Sequence, residues 1–128
     1  MPDMDGLYLV KLQVTKEGLM GAPTLSLNLV VYAPNGTVNG DAAITQAILN
    51  GQIHIPQVSG NIHHTGFGKD QQLVSLSGQY VQSVPPPAIG SFLAEFKAAL
   101  VVDASWNGRG TFSYGGHTIA DATVKQID

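Results

Sequence analysis

Alternation with a period of two constrains this chain more than any other feature. In "GLYLVKLQV", Tyr8, Val10, Leu12 and Val14 fall on one side, and Lys11 and Gln13 on the other. "TLSLNLVVY" sets Leu25, Leu27, Leu29 and Val31 against Ser26, Asn28 and Val30. Successive side chains of a strand point to opposite faces, so these runs read as half-buried strands; a helical face would repeat every three or four residues. "QLVSLSGQYV" places Val74, Leu76, Gly78 and Tyr80 on one side, and "GRGTFSYG" sets Phe112 and Tyr114 opposite Thr111 and Ser113. "HTIADATVKQI", with Ile119, closes the series. Between the runs lie Asn35-Gly36, Asn50-Gly51, Asn107-Gly108 and Gly115-Gly116, pairs that accept positive φ cheaply and mark tight turns. The pattern predicts an all-β fold over residues 1–128. We expect a single antiparallel β-sandwich or β-barrel of about eight strands, with room for one short helix.

Two segments fit more than one period. "SFLAEFKAALVV" puts Phe92, Ala94, Phe96, Ala98, Leu100 and Val102 on one strand face, yet Phe92, Phe96, Ala99 and Leu100 also stand at helical spacing behind Ser91. Its β-rich neighbours favour the strand. In "YAPNGTVNGDAAITQAILNG", Asp41 is a candidate cap for a helix ending at Gly51, but Val38, Gly40, Ala42 and Ile44 continue the alternation. A helix there would span under three turns, so a strand to about Gln46 followed by a loop is expected. Asn39-Gly40 follows the Asn35-Gly36 turn too closely to be a second turn, which leaves a bulge or a close backbone approach. Pro56 interrupts "QIHIPQVSGNIHH" and marks an edge strand or a bulge, because proline cannot donate to a ladder.

Charge narrows the function classes. Only 12% of residues are charged, the formal net charge is −3, and the six Lys and Arg residues are scattered. A nucleic-acid or anionic-membrane role would lack its main electrostatic term, so neither partner is expected. With no cysteine there is no disulfide, thiolate zinc site or cysteine nucleophile. The amino terminus begins acidic and shows no signal-peptide pattern, and no apolar run approaches the roughly 20 residues of a membrane helix. A cytoplasmic location is the default expectation.

The glycines of residues 32–51 do not form a phosphate cradle. No Gly-Lys-Ser/Thr step is present, and Asp41 after Gly40 would repel phosphate. His54, His63, His64 and His117 lack the spacing that places two imidazoles on one metal, so no metal or cofactor is expected. No serine sits in a nucleophile elbow, and the carboxylates are dispersed. The most suggestive set is Trp106, Asn107, Arg109, Tyr114 and His117, around one expected hairpin. A Trp beside amides and an Arg can stack on a sugar ring and bond its hydroxyls. The same residues suit a plainer role, with Trp106 and Phe112 plugging the core and Tyr114 covering an edge.

"GAPTLSLNLVVYAP", "GTVNGDAAITQA", "VSLSGQYV" and "SWNGRGTFSYG" together resemble a small bacterial family of uncharacterised proteins built on a domain of unknown function. The resemblance spans about residues 21–115 and implies a strand for the "GTVNGDAAITQA" element; it brings no catalytic residues. The leading functional expectation is a non-enzymatic binding or interaction module for a polar, carbohydrate-type ligand, or one that associates with itself as a homo-oligomer. The alternatives are a ligand carrier or hydrolase-like enzyme with a site in a barrel or cleft, and a structural or antigenic component with no small ligand.

Overall fold

The computed structural model describes residues 7–16, 18, 22–32, 35–46, 51–64, 72–83, 90–103 and 105–127. Each alternating run is a strand: β1 (Leu7–Thr15), β2 (Thr24–Tyr32), β3 (Thr37–Gln46), β4 (Gly51–His64), β5 (Gln72–Ser83), β6 (Ser91–Val102), β7 (Gly108–Tyr114) and β8 (His117–Ile127). Every strand pairs antiparallel with the next, and β8 returns to β1 through pairs such as Val14↔Val124. The sheet is therefore a closed up-and-down barrel. Alternation alone allowed a sandwich as well, and closure between positions far apart in the chain decides the matter. Among the described residues no α-helix forms, so the short helix allowed for is absent there. Both ambiguous segments are strands, β3 through Gln46 and β6 from Ser91. Residues 47–50, where a loop was expected, lie outside the described residues.

Eight strands enclose an interior just wide enough for side chains to fill. Phe96, Phe112, Leu12, Leu25, Leu27 and Leu100 fill it, each fully buried. Burying such a side chain is worth about 1.5–3 kcal/mol. A one-residue slip of β2 would turn its leucines outward and bring Ser26 and Asn28 in, so the alternation fixes the register. Among the described residues the interior is apolar, whereas the interior of a lipid-spanning barrel is polar. No helix among the described residues is long and apolar enough to cross a membrane.

Tight curvature has local causes. Gly40 lies on the inward side of β3, and a Cβ there would strike the Asn28 carbonyl; at Gly60 it would strike the Ser75 carbonyl. The adjacent strand folds over these glycines, as barrel corners require. The expected close approach at Asn39-Gly40 is thus present. Register shifts from Gly40↔Val58 to Ala42↔Ile55, so Pro56 and Gln57 together oppose Asp41. Pro56 marks a bulge. A second bulge sets Ala120 and Asp121 against Thr111, with Asp121 at φ 59°. Gly115 and Gly116, at φ 51° and 89°, make the two-residue turn between β7 and β8.

Candidate functional site

β7 separates the residues expected to form a site into two groups. At its start, the Asp103 Oδ1 accepts hydrogen bonds from the backbone N–H of Ser105 (2.8 Å) and Asn107 (3.1 Å). The Trp106 N–H donates to the Asp103 carbonyl at 3.0 Å. This turn holds Trp106 at φ 65° and turns its indole into the core, where it is 3% exposed. Asn107 Oδ1 accepts the Gln126 N–H at 2.9 Å, tying the turn to β8. Arg109 Nε lies 2.9 Å from Asp121 Oδ1 on the outer surface. At the far end of β7, Tyr114 is buried against Phe112, with ring centroids 6.1 Å apart, while His117 is exposed and 5.4 Å from Tyr114. Seven residues of strand put roughly 20 Å between the two groups. The indole is turned inward, so Trp106 takes the core role that its residue type also allowed.

A different feature opens on the outside of the barrel. The β4–β5 ladder runs from His64↔Gln72 to Val58↔Gly78 and stops there. Both strands go on: β4 extends back to Gly51 beside β3, and β5 extends to Ser83 beside β6. The two edges diverge around an open cleft of about 890 Å³. The bulge at Pro56 and Gln57 sits where the strands part, and a Cβ on Gly78 would press on the Gln57 carbonyl. Tyr80 and Phe96 lie at the floor, His54 and Gln57 on one wall, and Gln79 on the other. Val81 and Leu93, register partners 67% and 64% exposed, form an apolar rim.

From this cleft a shallow trough continues across the sheet. Ser59, Ser77, Lys97, Ser113 and Thr118 are successive register partners across β4, β5, β6, β7 and β8. They line adjoining depressions of about 470 and 400 Å³. Lys97 Nζ is 3.9 Å from Glu95 Oε1, and His54 Nε2 is 3.7 Å from Asp41 Oδ2; all four side chains are substantially exposed. Lys97 and Glu95 balance each other, and the surface presents hydroxyls, amides and backbone edges. Tyr80 is held above its ordinary pKa, mainly by burial and secondarily by Tyr114. A neutral phenol at the floor suits hydrogen bonding. Among the described residues no group of three His, Asp or Glu is placed to hold a metal.

The family model for a domain of unknown function, DUF1842, matches residues 5–118. The chain belongs to the DUF1842 family. No curated protein matches it in sequence. The match takes in β1 to β7, so the cleft of this DUF1842 barrel lies wholly within the family's domain. Sequence reasoning did not bring together Gln57, Gln79, Val81, Glu95 and Lys97, because a cleft made by two parting strands depends on register across the four strands β3 to β6. The usable signals were Pro56 inside a strand and two apolar residues, Val81 and Leu93, on outward positions.

Proposed function

We propose that this chain is a non-enzymatic binding or interaction module, and that its ligand is polar and lies in the outer cleft between β4 and β5. The observation that carries this is the ladder that ends at Val58↔Gly78 while both strands continue. Backbone donors and acceptors along a parted strand edge serve as a template for a ligand's own polar groups. The filled interior supports a surface site over a carrier with its pocket inside the barrel. The hydroxyl row from Ser59 to Thr118 extends the polar contact area, in keeping with the carbohydrate-type ligand expected from the sequence. Titration with a panel of soluble oligosaccharides and short peptides, followed by amide chemical shifts, tests the reading. Shifts centred on His54, Gln57, Gln79 and Lys97 are expected. A panel that leaves these four amides unmoved would sink it.

A second observation favours self-association. Leu7 and Leu9 are 63% and 74% exposed, and they pair across the outer face with Tyr32 and Val30. Ile127 adjoins them, and the β1–β8 register begins only at Lys11↔Ile127. Among the described residues nothing pairs with the β8 side of Leu7 to Leu9. We infer that two copies meet here about a two-fold axis, β1 against β1. Sedimentation should give a dimer that Leu9→Lys converts to monomer; a monomeric parent chain at high concentration refutes this reading.

A further inference from the structure

We propose that the β5 edge of the cleft captures an extended segment of a partner protein by strand addition, antiparallel to β5. This rests on the reading of the cleft as the ligand site and names the class of ligand. If the register of Val58↔Gly78 continued, β4 would present Gln57 to Gln79 and Ile55 to Val81, but it departs at the bulge. Pro56 has no N–H to give, so β4 is blunted at the place where it would have covered β5. Among the described residues, no strand continues the ladder along β5 beyond Gly78 on the β4 side. Backbone groups on such an edge repeat about every 6.8 Å, the spacing that another strand's main chain presents.

Side-chain rows specify the visitor. Val81 and Leu93 form an outward apolar row that ends at the β5 edge, and a strand added there places its own outward residue beside Val81. An aliphatic or aromatic residue fits that position. Two residues along, the added strand meets the row of Gln79 and Glu95. Glu95 is two-thirds exposed and its contact with Lys97 is long, at 3.9 Å, so its carboxylate has room for a Lys or Arg on the visitor. The residue between them points at the floor made by Tyr80 and Phe96, where a small apolar side chain fits. The recognised pattern is therefore apolar–small–basic in an extended segment, read in the direction opposite to β5.

Panning a displayed random heptapeptide library on the full chain tests this, with Val81→Lys as counter-selection and Val81→Ile as the conservative control. Enriched peptides should carry the apolar–small–basic pattern. They should lose at least tenfold in affinity for Val81→Lys, keep it for Val81→Ile, and lose it again when their alternate backbone nitrogens are N-methylated. Val81 is exposed, so an unchanged thermal midpoint in both variants shows that the fold is intact. If soluble oligosaccharides shift Gln57, Gln79 and Lys97 while no peptide is enriched, the strand-addition inference falls and the binding-module reading stands. If neither class of ligand moves those residues, both fall. Peptides indifferent to N-methylation also overturn strand addition.

Discussion

Trp106 combines two demands that rarely fall on one residue. Its backbone sits at φ 65°, a region costly for a bulky side chain, and its indole is buried at the barrel's end. Core packing of the ring outweighs the local cost, and the Asp103 hydrogen bonds hold the turn. Trp106→Ala should destabilise the fold by about 3–5 kcal/mol in urea titrations, the range for emptying an aromatic site. Trp106→Gly leaves a similar cavity but relieves the left-handed backbone, so it should be about 1 kcal/mol less damaging than Ala. The reverse order would mean that the turn carries no backbone strain. Tyr80 supplies a second test. Its pKa is raised in the folded chain above the ordinary value of 10.0, so the unfolded chain loses this proton first as pH rises. Its contribution is full below about pH 10 and is lost as pH climbs through the folded value. Tyr80→Phe should flatten the alkaline fall in stability, and a variant that keeps the parent's slope would acquit this residue.

At the scale of strands, small residues decide where backbones can cross. Gly60 faces inward, and its missing Cβ is the space that the Ser75 carbonyl occupies. Gly60→Ala must push β5 away from β4 in the part of the ladder that is still intact, at about 3 kcal/mol or more. Chemical denaturation checks the size. Gly116 makes the useful contrast: it has open space around its Cβ position, and only its φ of 89° opposes a side chain. Gly116→Ala should therefore cost about 1 kcal/mol. Alternation revealed the existence and type of these strands because inward and outward positions differ in burial at every step. The parting of β4 from β5 left a fainter trace, since one proline signals a bulge without saying which neighbour is lost.

Across the whole molecule, closure joins the two halves of the chain through pairs such as Lys11↔Ile127. Contacts so distant in sequence carry a large loop-closure cost before any return, so folding should be slow for the chain's size, in milliseconds to seconds. Trp106 is the sole tryptophan and sits where the β6–β7 turn meets β8 through Asn107 and Gln126. Stopped-flow fluorescence of this residue reads closure directly. Microsecond refolding would show that the barrel closes from local contacts alone.

The sequence by itself determined an all-β chain, its strand order along the chain, most inward residues and the turns at Asn35-Gly36 and Gly115-Gly116. These follow from local physics: a period of two, φ preferences and the cost of burying polar groups. Only the tertiary structure decided that β8 meets β1, that Trp106 and His117 stand at opposite ends of β7, and that a cleft opens beside β5. Each of these depends on which strands become neighbours and where their ladders stop, and that is settled by packing across the barrel, beyond the reach of any single stretch of chain.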